Sequence, residues 1–331
     1  MSTTSDQSVV HVVAPARLHM GFLDLSSAFG RKFGGIGLSL EKPCTQISVQ
    51  KSTKTEVIGR QQETRRITQT IAKLRPLLGL ENNYRVHVED LIPAHSGLGS
   101  GTQLAITLAK AIVQLENQDY SATELAIMLN RGGRSAIGIA AFDRGGFIVE
   151  GGRGPLSKAP PILMQTNFPE NWRVLLVLDP HSKGVYGSNE QHAFATLPPL
   201  PEADFARICH LVLMQLMPGL IERDISAFGQ AVTEIQSIVG RQFSVAQNGS
   251  PWTNPKVGAL IERLQEAGAV GIGQSSWGPT GFAFAPSTSE ANSLYYTFVE
   301  DAKSEGLELF VVAGRNDGAR IVTKQAVAPN P

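Results

Sequence analysis

Residues 92–103, Ile-Pro-Ala-His-Ser-Gly-Leu-Gly-Ser-Gly-Thr-Gln, constrain the fold more than any other stretch. A strand-like run, Tyr84-Arg85-Val86-His87-Val88, precedes them. A helix-periodic apolar run, Leu104, Leu108, Ala111, Ile112 and Leu115, follows at once. The local plan is strand, glycine loop, helix. Glycine lets backbone approach a ligand closely and adopt left-handed angles, and Ser100 or Thr102 is placed to cap the new helix. Free N–H groups at a helix start favour an anion such as phosphate. Gly97, Leu98, Gly99, Ser100, Gly101 and Thr102 are therefore the candidate phosphate cradle. The loop is not a Walker loop, because no Gly-Lys-Ser/Thr follows. It is not a dinucleotide fingerprint either, because the third glycine and the later acidic residue are missing.

A chain of 331 residues suits two domains. Lys+Arg and Asp+Glu both number 29, which argues against a nucleic-acid or anionic-membrane partner held by bulk charge. Only Cys44 and Cys209 occur, so neither a disulfide framework nor a zinc site is expected. The N-terminus lacks the pattern of a signal peptide, and no apolar run reaches the ~18 residues of a membrane span. The expectation is a cytoplasmic protein with small-molecule partners.

Before the glycine loop, residues 9–13 read as a buried strand ended by Pro15. Arg17 and His19 then alternate with Leu18 and Met20, so both polar side chains point to one face. That face is either an exposed edge or a pocket wall with a guanidinium ready for carboxylate or phosphate. A glycine-rich basic turn over residues 29–38 leads to a strand at 45–49, and residues 62–78 read as a helix stopped by Gly79. After the loop come a short helix at 122–129, a small-residue helix at 134–146 and a strand at 147–149. Gly151, Gly152 and the Pro160-Pro161 pair mark a boundary, giving units 1–155 and 170–325. The second unit reads as strand 173–178, a polar loop 179–192 carrying Lys183 and Glu190, helices at 202–216, 225–239 and 256–267, strands at 269–272 and 282–284, a helix at 289–304 and a last strand at 307–313. That order predicts an α+β unit with antiparallel strands. Its Ser/Gly-rich loop, residues 273–281 with Ser275, Ser276 and Trp277, is a second anion-binding candidate.

Three stretches together resemble the GHMP superfamily, named for galactokinase, homoserine kinase, mevalonate kinase and phosphomevalonate kinase. Pro15-Ala16-Arg17-Leu18-His19-Met20-Gly21 is similar to its first motif, Pro93 to Ser100 to its phosphate loop, and residues 273–281 stand where its third motif belongs. The resemblance implies a two-domain α+β fold: a ribosomal-protein-like N-terminal domain and a ferredoxin-like C-terminal domain. Three departures stand out. Gly101-Thr102-Gln103 follows Ser100 where the kinases have Ser-Ala. Gly138 or an aliphatic neighbour stands where some kinases keep a catalytic Asp. The third motif reads Ser-Ser-Trp-Gly-Pro-Thr. A kinase without that carboxylate lacks a proton acceptor for the attacking hydroxyl.

The departures resemble one non-kinase branch, the β-ribofuranosylaminobenzene 5′-phosphate synthases. Ala-Arg-Leu-His-Met-Gly-Phe-Leu-Asp-Leu, Arg-Ser-Ala-Ile-Gly-Ile-Ala-Ala-Phe with Gly-Gly-Phe-Ile-Val-Glu-Gly-Gly, and Ser-Ser-Trp-Gly-Pro-Thr carry the likeness. It implies condensation of phosphoribosyl pyrophosphate with 4-aminobenzoate or 4-hydroxybenzoate, loss of carbon dioxide and pyrophosphate, and a place in tetrahydromethanopterin biosynthesis. It also implies a homodimer and a need for Mg2+. On that reading Arg17 holds a carboxylate or phosphate, and Asp24 or Glu190 anchors magnesium or ribose hydroxyls. His19, Arg134, Lys183, Ser275, Ser276 and Trp277 are candidate benzoate or ribose contacts; Trp277 stacks on the arene or fills core. An ATP-dependent small-molecule kinase and a non-catalytic metabolite sensor are the alternatives on the same fold.

Overall fold

The computed structural model describes residues 8–25, 27, 30–182, 184 and 187–325, the side chains of 62 and 188–191 excepted. The first half contains β1 (Ser8–Asp24), β2 (Phe33–Ser52), β3 (Glu56–Ile58), α1 (Thr64–Leu78), β4 (Asn83–Asp90), α2 (Ser100–Leu115), α3 (Ala122–Met128), α4 (Ile137–Asp143), β5 (Phe147–Glu150) and β6 (Ile162–Thr166). The second half contains β7 (Arg173–Leu178), α5 (Gly187–Thr196), α6 (Glu202–Leu211), α7 (Met217–Glu222), α8 (Ile225–Ser244), α9 (Pro255–Glu266), β8 (Val270–Gln274), β9 (Gly281–Ala285), α10 (Thr288–Ser304), β10 (Glu308–Ala313) and β11 (Arg320–Gln325).

One sheet runs β11-β1-β2-β4-β3, with β5 joined to the first part of β2 and β6 beyond it. The other is antiparallel, in the order β10-β7-β9-β8. The α+β class expected from the sequence is the one found. The boundary is less simple than 155/170: β6 and β11 both belong to the first sheet, the latter by pairing with β1.

Local chemistry explains most elements. Ile67, Ile71, Leu74 and Leu78 give α1 one buried stripe, and Gly79 closes it in the left-handed conformation. Ser121 and Glu124 form a capping box on α3, and Asp224 caps α8. Two readings are corrected. Pro15 does not end β1; the strand continues to Asp24, with the proline at a register shift. The glycine-rich 33–38 segment is strand, not turn. A Cβ on Gly37 would lie 2.4 Å from Ile137 Cγ2, so glycine is what lets α4 pack directly on the sheet.

Two cores follow. On one sheet face Val10, Val12, Ile47 and Val49 pack against α1, α2 and α3. On the other, Leu18, Met20, Ile36 and Leu38 join Phe228, Ile235, Phe282 and Phe284, which ties the two halves into one apolar cluster. The 21-residue helical stretch Glu202–Glu222 reaches membrane-span length at a mean hydropathy of 1.3, which corrects the expectation that none would. Its Phe205, Ile208, Leu211 and Leu220 are buried in this second cluster, so a core helix accounts for the pattern.

Candidate functional site

Where the halves meet, the glycine loop opens into a cleft of about 420 Å³. Gly99 is the N-cap residue of α2, left-handed at φ 83°, with no side-chain cap. Neither Ser100 nor Thr102 caps the helix, correcting the sequence expectation; both line the cleft. The Gly99 carbonyl accepts from Thr102 N–H and Gln103 N–H, at 3.1 and 3.0 Å. Glycine at the cap matters for packing too, because a Cβ there would stand 3.2 Å from Arg17 Cγ.

The third-motif loop closes onto the first. Ser275 is fully buried; its hydroxyl accepts from His19 N–H at 3.0 Å and donates to the Gly97 carbonyl at 2.7 Å. Thr280 Oγ1 donates to Ser96 O at 2.6 Å, and Ser276 N–H to His19 O at 2.9 Å. β1, the glycine loop and the 275–280 loop are thus stitched by buried hydrogen bonds, each of which is costly to leave half-made.

Four arginines line the cleft: Arg17, Arg66, Arg131 and Arg134. Among the described residues that line it there is no carboxylate. Arg17 donates from Nη1 to the Gly97 carbonyl, and its own N–H bonds Leu98 O at 3.2 Å. Arg66 Nη2 and Arg131 Nη1 each come within 3.5 Å of where a Gly101 Cβ would be. Arg66 pairs with Glu63 at 2.7 Å. Burial first, and then Arg66, press the Arg131 pKa downward. Two guanidiniums converging on a positive helix end repel one another, and an anion between them relieves that repulsion.

Arg134 lies over the Phe194 ring, 5.2 Å from its centroid. Trp277 is 1% exposed and its ring stacks on Phe243 at 3.9 Å, so the ring fills core, while residues 276–278 together border the cleft. Asp24 ends β1 beside Cys209, whose thiol pKa is raised by burial and then by that carboxylate. It does not line the cleft and lies roughly 20 Å along the strand from Arg17. Lys183 lies outside the described residues. Glu190 falls in α5, a helix where a loop was expected, and its side chain lies outside the description. His19 is buried at 2% exposure.

Position 138, where some kinases keep a carboxylate, is a buried helix contact. Gln103 Nε2 donates to Gly138 O at 2.7 Å, and a Cβ on Gly138 would be 3.3 Å from Thr102 Cγ2.

A buried carboxylate, like the cleft arginines at 66 and 131, escaped the sequence reading. Glu150, at the end of β5, is fully buried and accepts from Ala136 N–H at the start of α4. Burial pushes its pKa up from 4.5 to about 7, against the hydrogen bonds from Ser135 and Ala136 and the charge of Arg17. The segment Gly-Gly-Phe-Ile-Val-Glu-Gly-Gly carries part of the family likeness, but a strand end is an ordinary place for a carboxylate and the run itself gives Glu150 no role. Its folded pKa is above its unfolded one, so its contribution is complete below about pH 4.5 and is lost as pH rises through about 7. Wild-type stability is therefore expected to fall across that window, by up to about 1.4 kcal/mol per pH unit. Glu150→Gln should flatten the dependence. Urea midpoints at pH 5 and pH 7.5 check this; equal slopes in both proteins would refute it.

The GHMP kinases N-terminal domain model matches residues 65–147, and the GHMP kinases C-terminal model matches residues 216–302. The chain is 32% identical over 328 residues to the β-ribofuranosylphenol 5′-phosphate synthase of Methanothermobacter thermautotrophicus, covering 93% of this chain and 97% of that one. Against the protein of the same name from Archaeoglobus fulgidus it is 33% identical over 321 residues, with 93% and 97% covered. In structure it is similar to homoserine kinase from Cytophaga hutchinsonii, at a TM-score of 0.66 and 18% identity over 97% of this chain and 99% of that one; this likeness concerns the fold alone.

Proposed function

The chain belongs to the family of β-ribofuranosylphenol 5′-phosphate synthases on GHMP kinase domains, and from that premise we propose the reaction it performs. It condenses phosphoribosyl pyrophosphate with 4-aminobenzoate or 4-hydroxybenzoate, releasing carbon dioxide and pyrophosphate, within tetrahydromethanopterin biosynthesis. We propose further that it is a cytoplasmic homodimer and a pentosyltransferase.

The observation that carries this reading is the four-arginine cleft around the glycine loop, with glycine where a base would stand. Both substrates are anionic, and phosphoribosyl pyrophosphate is anionic at both ends. Arg66, Arg131 and the first turn of α2 suit the pyrophosphate, stabilising charge as it leaves. Arg17 and Arg134 suit the benzoate carboxylate or the 5′-phosphate. The aryl carbon is the nucleophile, its para donor pushing electrons into the ring. No protein base is needed to activate a hydroxyl.

Magnesium is proposed with the pyrophosphate. Among the described residues no cluster of His, Cys, Asp or Glu forms a metal cage, and the cleft lining offers guanidiniums and backbone N–H groups. These residues do not suit a resident cation, so the ion fits better as part of the substrate complex.

Purified protein given phosphoribosyl pyrophosphate, magnesium and carboxyl-labelled benzoates should release labelled carbon dioxide. No release from either benzoate would overturn the reading. ATP-dependent phosphorylation of an alcohol would favour the kinase alternative, and ligand binding without turnover the sensor.

A further inference from the structure

A second cavity, of about 240 Å³, lies outside the arginine cleft. It opens between α8 and α9, over β8, the edge strand of the second sheet. Thr233, Gln236, Ser237 and Arg241 line it from one face of α8, at the spacing that stacks side chains along a helix. Trp252 supplies an aromatic wall, and Pro251 and Ile272 add apolar surface. The indole is pinned twice. It lies against Gly258 of α9, where a Cβ would be 2.4 Å from its Cγ, and its Nε1 donates to Glu262 at 3.0 Å. A ring fixed in that way is a platform for a second ring.

Arg241 supplies a cation. Its Nη1 donates to Ser237 Oγ at 3.0 Å, and it makes no ion pair among the described residues. The Glu234 carboxylate on the same helix is taken by Arg207 instead, through bonds of 2.6 and 2.9 Å. Glu262, also in the wall, faces the indole N–H, so an anionic end belongs with Arg241. Two further wall residues hold the backbone of the arginine cleft. Gln236 accepts from Gln274 N–H at 2.8 Å and donates to Met20 O at 2.7 Å, on the strand that carries Arg17. Gln274 donates to Ser276 O at 3.2 Å, at the edge of that cleft, and accepts from Thr253 N–H at 2.8 Å, next to Trp252.

We propose that this cavity is an effector site for a small aromatic carboxylate, its ring on Trp252 and its carboxylate on Arg241, and that occupancy is felt in the arginine cleft. The guanidinium fork suits a carboxylate, and the apolar walls suit a ring rather than a free ion. A ligand that moves Trp252 acts on Thr253 and so on Gln274, whose side chain holds Ser276. One that engages Gln236 acts on the Met20 carbonyl. The coupling works in both directions, so an anion in the arginine cleft changes the affinity of the effector site by the same factor.

The probe is 2-naphthoate, with its neutral carboxamide and cyclohexanecarboxylate as controls that lack the charge and the ring. By calorimetry each control should bind at least about tenfold more weakly, and Arg241→Gln should weaken 2-naphthoate by a similar factor. Fluorescence places the ligand. Of the three tryptophans, Trp172 and Trp277 are 2% and 1% exposed, so saturable quenching should report on Trp252 and be lost in Trp252→Phe. Amide hydrogen exchange supplies the second readout. Saturating 2-naphthoate should change the protection of residues 274–280 in wild type and leave it unchanged in Arg241→Gln. No binding by wild type, or equal binding by wild type and Arg241→Gln, would overturn the inference. So would binding at Trp252 that leaves exchange in the 274–280 loop unchanged. Neither readout needs turnover, so both stand whether or not a benzoate releases carbon dioxide, the result on which the synthase reading depends.

Discussion

Arg17→Gln is expected to lower kcat/KM for the synthase reaction by about 10²–10³, the range seen when one preorganised charge donor is removed from an active site. The side chain leaves β1 under the glycine loop, its Cγ against Gly99 and its Nη1 on the Gly97 carbonyl. It thus fixes the loop and presents positive charge to the same cleft. Glutamine can keep the loop contact through its amide but brings no charge. Arg17→Lys should recover little, because a point charge replaces a planar fork that reaches the loop and an anion together. The loss of charge also reaches Glu150, whose pKa Arg17 holds down, so the buried carboxyl should hold its proton to higher pH in the variant. Steady-state kinetics beside a urea titration separate the two effects. Activity within tenfold of wild type, in a protein of normal stability, would show that Arg17 holds no reacting group.

Much of this site was legible in the chain because local rules agree there. A glycine-dense loop between a strand and an amphipathic helix has few uses, and α2 starts at Ser100, inside the predicted loop. The arginines at 66 and 131 were not legible. Arg66 reads as an ordinary charge on the polar face of α1, and Arg131 as part of a turn before two glycines. Only the packing of α1 and α3 on α2 brings them to one point. Trp277 was open between stacking and core; Phe243, 34 residues earlier, decides it, and no periodicity connects the two. β11 was missed for a related reason. Arg-Ile-Val-Thr-Lys-Gln carries only two strong apolar residues, since it is an edge strand paired on one side by β1.

Gly97→Ala is the second large effect expected, and its cause is contact between the halves of the molecule. Gly97 has φ +85°, a region that costs a residue with a side chain about 1–2 kcal/mol. A Cβ there would also stand 2.4 Å from Ser275 O and 2.8 Å from Gly278 Cα. Both obstacles are backbone, so neither can rotate away. Gly278 is in the reciprocal position, its own Cβ site 2.4 Å from Gly97 Cα. The two loops therefore meet glycine on glycine, and a methyl group must push them apart. That breaks the Ser275–Gly97 and Thr280–Ser96 hydrogen bonds and shifts the N–H groups meant for phosphate. A loss of about 3 kcal/mol or more is expected from strain and broken buried bonds together, with kcat/KM down at least tenfold. Gly79→Ala is the matched control. It has φ +63° but open space around its Cβ, so only the strain should register, at about 1 kcal/mol. Denaturation midpoints of the two variants decide the matter. If they coincide, backbone conformation alone explains Gly97, and the loops need not touch for the site to form. If Gly97→Ala falls well below Gly79→Ala and loses activity with it, the closed seam between the two glycine loops is what shapes the phosphate cradle.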